Sequence, residues 1–223
     1  MRIASFVIAL GVLALSATKV AAQTCYGDAS FSAGPVRLGA DVRAREGVKD
    51  YGVDVAVGAR TGLFASAGIS RAEFSDIDGS ATVFGLSAGY AFDLNHARTV
   101  QFCPYVDLSH ESLPDIDVGS SMLTSSVDAV GFGGSIGGTV RVGPSLDLAP
   151  FVGATYFVER FRARWNGETD SESDRLGVID VGTGFVINKV LTLQPAVSIP
   201  VGIEGGKSAV GLAIKYNFGS SKP

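Results

Sequence analysis

The sequence predicts an all-β fold, an antiparallel up-and-down transmembrane β-barrel of about ten strands behind a cleaved signal peptide. Three observations carry this expectation. Beyond residue 34, apolar residues alternate with small or polar ones at a period of two. The bulky apolar residues fall on one face, while the other is mostly Gly, Ser, Ala and Thr with scattered charges. Short and long links alternate between the runs. Composition agrees. Of 223 residues, 46% are hydrophobic, 18% charged and 29 are Gly, against about 25% charged in soluble domains. That balance excludes a disordered chain, a coiled coil and a basic nucleic-acid binder.

The first segment reads as a secretory signal at residues 1–22. Met1-Arg2 opens a short positive region, Ile3 to Leu15 is apolar except at Ser5, and Val20-Ala21-Ala22 supplies a small-residue cleavage site. The apolar stretch is short for a transmembrane helix. Gln23 and Thr24, ahead of Cys25, are not the small residues that precede a lipid-anchored cysteine. Cleavage removes Arg2 and Lys19 and no acid, so the formal charge moves from −4 to −6. An exported acidic chain has no electrostatic case for binding nucleic acid or anionic lipid headgroups through the body of the protein.

After an N-terminal periplasmic segment at residues 23–34, a barrel is expected over residues 35–218. Its alternating sets begin Val36, Leu38, Ala40, Val42, Ala44, then Tyr51, Val53, Val55, Val57 and Leu63, Ala65, Ala67, Ile69. Phe84 to Phe92 and Val100 to Leu108 continue the scheme. Val130 to Val142, Leu146 to Val158, Ile179 to Ile187, Leu191 to Val201 and Val210 to Phe218 complete about ten, an even number. Short links at 59–61, 93–98, 143–145 and 188–190 hold turn formers such as Gly143-Pro144 and Asn188-Lys189. Long links fall at 71–80, 111–125 and 160–174, with shorter ones at 46–49 and 203–207. If both termini lie on one side, every long link falls on the other.

The apolar face suits lipid and the small-residue face a crowded polar lumen. Aromatic residues sort by height on the apolar face. Phe92, Phe102, Phe185, Tyr216 and Phe218 fall near the short-turn side, and Tyr51 and Tyr156 near the long-link side. Two interfacial girdles are what a membrane barrel needs.

The signal peptide, the alternating strands and the closing Ala213-Ile214-Lys215-Tyr216-Asn217-Phe218 run resemble the small outer-membrane β-barrel superfamily, which includes OmpA-type transmembrane domains and OmpX-like barrels. The resemblance implies location in the bacterial outer membrane, contact with its lipid, and the barrel-insertion machinery as a partner. Family members usually end on the terminal aromatic residue. Here Gly219 to Pro223 follows Phe218 as a C-terminal tail at residues 219–223.

Cys25 and Cys103 predict one disulfide, since exported chains meet an oxidising compartment; two free buried thiols are the alternative. Parity points Cys103 into the lumen near the periplasmic end of the fifth strand. A bridge to Cys25 would draw the N-terminal segment across that mouth and narrow the path for solutes.

Inward positions carry Arg37, Arg43, Arg141 and Lys215 against Asp41, Asp54, Asp107, Asp147, Glu159 and Asp180. Paired with one another, these charges would plug a narrow barrel; opposed across an open bore, they would line an ion path. With so few strands the plug is the expectation, because wide barrels are the ones that hold aqueous channels. At the outer rim His110, Ser112 and Asp128 share outward parity, the residue types of acyl-ester hydrolysis with His as base and Ser as nucleophile. They faintly resemble lipid A deacylase barrels, which use a His-x-Ser pair and a carboxylate. Ser112-Leu113-Pro114 lacks that family's Asn after Ser, and the acid here is Asp rather than Glu. The protein is therefore expected not to be an enzyme.

No metal or cofactor is expected. Asp76-Ile77-Asp78-Gly79 lacks the further ligands of a calcium loop and reads as a solvated turn. Arg162, Arg164 and Trp165, in the 160–174 link, form the expected contact surface for an external partner whose nature the residues do not specify.

Overall fold

The computed structural model describes residues 24–29, 31, 35–59, 61–75, 79–118, 121–166, 168–202 and 206–218. The expected signal peptide at 1–22, Gln23, Asp76 to Asp78 and the tail at 219–223 lie outside them.

Ten strands close into one antiparallel barrel. They are β1 (Val36–Arg45), β2 (Val48–Gly58), β3 (Leu63–Phe74), β4 (Ser80–Tyr90) and β5 (Val100–Ser112). β6 (Ser121–Gly138), β7 (Leu146–Trp165), β8 (Glu168–Ile187), β9 (Leu191–Val201) and β10 (Ala209–Phe218) follow. Each strand pairs with its neighbours in sequence, and β10 returns to β1 in the register Val36↔Phe218 through Ala44↔Val210. Closure leaves no free edge, which is the condition for β-structure in lipid. Short flanking pieces at Phe92–Asp93, Ile116–Val118 and Val140–Arg141 pair with β5, β6 and β7 respectively.

The period of two sorts the side chains as expected. Val53, Leu86, Phe132, Val152 and Leu212 point outward and are exposed, and so are the aromatics Tyr51, Phe92, Phe102, Tyr156, Phe185, Tyr216 and Phe218. An apolar belt around a whole barrel far exceeds the patches that monomers leave in water, so it is a lipid-facing surface. Inward positions hold the buried set, among them Arg37, Ala56, Phe64, Gln101, Cys103, Tyr105, Ser135, Thr155 and Thr192. Asn188 and Lys189, both at positive φ, are the central residues of the turn that carries β8 into β9 through the three-residue link 188–190.

Strand length differs from expectation. The 160–174 link is not a loop: β7 and β8 run 20 residues each and stay paired from Leu146↔Ile187 to Trp165↔Glu168. Most of the described residues in 71–80 and 111–125 are likewise strand. Beyond the belt, charged residues replace apolar ones on the outward face, so hydrophobic alternation vanishes while the backbone ladder continues.

Candidate functional site

Two places concentrate the chemistry: the short-turn mouth of the lumen and the outward rim at the opposite end. The mouth is filled by the segment ahead of β1. Thr24–Tyr26 form a 3-10 turn inside the barrel, and Cys25 is joined to Cys103 on β5 by a disulfide with Cα atoms 5.9 Å apart. Wall side chains meet the segment's backbone groups one by one. Thr24 N donates to Gln101 Oε1 at 3.1 Å and Ala29 N to Thr192 Oγ1 at 3.2 Å. Ser135 Oγ donates to the Cys25 carbonyl, and Gln194 Nε2 to that of Tyr26. Backbone polar groups leaving water need such partners.

Packing and charge add to these contacts. Phe31 is buried beside Arg37, whose guanidinium carbon lies 4.8 Å from the ring centroid. Tyr26 contacts Phe64 edge-on at 5.5 Å and Tyr105 at 5.3 Å. Asp28, 1% exposed, forms ion pairs with Arg37 at 3.0 Å and Lys215 at 2.9 Å. Glycines make the cradle. A Cβ on Gly137 would strike the backbone of Thr24 and Cys25, and one on Gly184 the carbonyl of Gly27.

The ten inward charges do not form one network. Arg37 and Lys215 turn to Asp28 rather than to wall acids. Arg43 pairs with Asp41 at 3.3 Å, within its own strand. Arg141 pairs with Asp147 at 3.5 Å, where the arginine is largely exposed below the lumen. Asp180 accepts from Ser198 Oγ, and Asp54, Asp107, Asp180 and Glu159 have no ion pair among the described residues. The reason is geometric: the cations at the foot of β1 and β10 lie level with the inserted segment. Asp28 and its neighbours Tyr26 and Phe31 escaped the sequence reading because the segment has no period. An acid three residues after Cys25, the expected partner of the lumen-facing Cys103, was the available signal.

At the far rim, β5 continues to Ser112, and cross-strand register places His110 opposite Asp128 on β6. His110 Nδ1 lies 2.7 Å from Asp128 Oδ1, and Ser112 Oγ lies 3.4 Å from His110 Nε2. A carboxylate only accepts, so the short contact places a proton on Nδ1 and leaves Nε2 of the neutral ring as an acceptor for the Ser112 hydroxyl. Arg162 holds the other Asp128 oxygen at 2.8 Å. The three expected residues therefore meet, on the lipid side of the wall. The expected contact trio divides instead. Arg162 and Arg164 share the outward parity of Val152, while Trp165 has the inward parity of Thr155. Across the same rim Lys207 pairs with Glu46 at 2.8 Å, a hydrogen bond that raises the lysine pKa above its ordinary value. Among the described residues no cluster of ligand side chains could hold a metal ion.

No family model matches the chain, and no curated protein matches it. Solved structures do. The N-terminal β-barrel domain of Pseudomonas aeruginosa OprF is 12% identical over 82% of this chain and 96% of its own, with a TM-score of 0.37. Neisserial surface protein A is 12% identical over 82% and 97%, with a TM-score of 0.39. An outer-membrane channel of Pseudomonas putida F1 is 12% identical over 83% and 96%, with a TM-score of 0.45. The neighbours are small outer-membrane β-barrels, and at these identities the likeness is one of fold alone.

Proposed function

We propose that this chain is a bacterial outer-membrane β-barrel with a structural or surface-interaction role, its lumen closed at the short-turn, periplasmic end. The observation that carries the reading is the seated segment, held by the Cys25–Cys103 bridge and the Asp28 ion pairs. A narrow diffusion channel is the competing outcome. Refolded protein in a planar bilayer should insert without conductance steps; steady ohmic steps from the oxidised chain would overturn the closed lumen.

A second reading, a hydrolase of acyl esters in the surrounding lipid, rests on the Ser112–His110–Asp128 geometry. His110 Nε2 would take the Ser112 proton as Oγ attacks the ester carbonyl, then return it to the departing alkoxide; water would release the acyl group. It stands second because Leu113 N, the donor that follows the serine, is already bonded to Ser125 O at 3.1 Å. Mass analysis of outer-membrane lipids from cells expressing the chain or its Ser112→Ala variant tests it. Lost acyl chains with the parent only would support hydrolysis, and identical lipids would reject it.

A further inference from the structure

The upper part of the β7–β8 hairpin is sorted by charge. Register pairs Val158 with Arg175, Arg160 with Ser173, Arg162 with Ser171 and Arg164 with Thr169, all of outward parity. The inward parity holds Glu159↔Asp174, Phe161↔Glu172, Ala163↔Asp170 and Trp165↔Glu168. Every arginine lies on one face and every acid on the other. Cross-strand stability alone favours the opposite arrangement, since opposite charges in register stabilise a ladder and like charges facing each other weaken it. Glu159 directly opposite Asp174 is such a like-charge pair. Asp128 on β6 is one outward acid against these four arginines, so the sorting points to an external partner for the remaining cations.

Height identifies that partner. Going up β7, the outward face reads Val152, Ala154, Tyr156, Val158, then Arg160, Arg162 and Arg164. Each step of two residues rises about 6–7 Å along the strand. The arginines thus begin one step beyond Val158 and two beyond the interfacial Tyr156, at the level of polar headgroups. Arg162 is engaged by Asp128. Arg160, Arg164 and Arg175 are exposed and have no ion pair among the described residues; Arg160 makes a 3.4 Å hydrogen bond to Ser171 and faces Asp128 across the ladder with β6. Guanidinium groups bind phosphate oxygens in a fixed, bidentate geometry. The chain as a whole is acidic, with a formal charge of −4, so this face is a local feature and not a consequence of net charge.

We propose that the outward arginine face of the β7–β8 hairpin docks the anionic phosphate headgroups of the lipid leaflet around the barrel. This rests on the membrane-barrel reading and adds a lipid class to its surface role. Native mass spectrometry of the refolded chain, titrated with phosphatidylglycerol or phosphatidylcholine, tests it against Arg160→Gln/Arg164→Gln/Arg175→Gln, which leaves the Arg162–Asp128 pair intact. The parent should retain phosphatidylglycerol at several-fold lower concentration than phosphatidylcholine. The triple Gln variant should lose that preference, and the corresponding triple Lys variant should keep much of it. Equal phosphatidylglycerol retention by parent and triple Gln variant would overturn the proposal, as would displacement of the lipid by equimolar inorganic phosphate. Vesicle flotation separates the two levels. A parent chain that never inserts refutes the barrel reading, whereas one that inserts without headgroup preference refutes this inference alone.

Discussion

Asp28 accepts a hydrogen bond from Lys215 at 2.9 Å, joining the segment ahead of the first strand to the last strand across 187 residues. The aspartate also holds Arg37, so one buried carboxylate is ion-paired with two cations at the seam where the barrel closes. Removing one partner of a buried pair costs about 3–5 kcal/mol, because the remaining charge stays buried. Asp28→Ala should therefore destabilise the barrel by that order in urea titration. Asp28→Ala/Arg37→Met/Lys215→Met should recover most of the loss. If the triple variant is as unstable as the single one, the cost is not unpaired charge.

The glycine cradle predicts a way to open the lumen. Gly184→Val and Gly137→Val place side-chain atoms where the backbone of Gly27 and of Thr24–Cys25 lies. Both should expel the segment, lower the disulfide-linked fraction in non-reducing mass mapping, and produce conductance steps in planar bilayers. Gly85→Ala is the control, since a Cβ there meets nothing within 4 Å. Full bridging and silence in both valine variants would show that the segment tolerates displacement without opening a path.

The disulfide closes a loop between residues 78 apart, for which the chain-entropy model gives roughly 4–5 kcal/mol of stabilisation. Cys25→Ser/Cys103→Ser should lose stability of that order. Mass mapping of the oxidised parent should find the Cys25 and Cys103 peptides linked. Complete alkylation of both thiols in unreduced membranes would remove the bridge from the native state.

The face assignment is tested at Val152, which is 49% exposed in the belt. Val152→Arg should cost about 2–4 kcal/mol, as for a cation at the lipid midplane, read as a lowered unfolding midpoint in bilayers. Thr155→Arg should also impair folding, by a different route. Its hydroxyl lies 2.6 Å from that of Tyr105 on the crowded inner face, where an arginine has no room. Unchanged heat resistance of Val152→Arg in detergent would mean that the wall has been assigned inside out.

The alternation of residues such as Val53/Asp54 and Thr155/Tyr156 determined, without coordinates, the number of barrel strands and which side chains face out. A strand has only two faces, and a one-residue slip would put every apolar residue on the wrong one. Parity also placed Cys103 inward and His110, Ser112 and Asp128 outward on neighbouring strands. Where the strands stop was not legible, because beyond the belt neither face meets hydrocarbon and the hydrophobic signal ends while hydrogen bonding continues from Arg160 to Trp165. Partner choice was not legible either. Arg37 and Lys215 sit among wall acids in sequence pattern, yet both turn to Asp28. Only barrel closure brings the first and last strands together and fixes the height at which the inserted segment meets them, and a charge confined in a small lumen pairs with the nearest opposite charge at its own level.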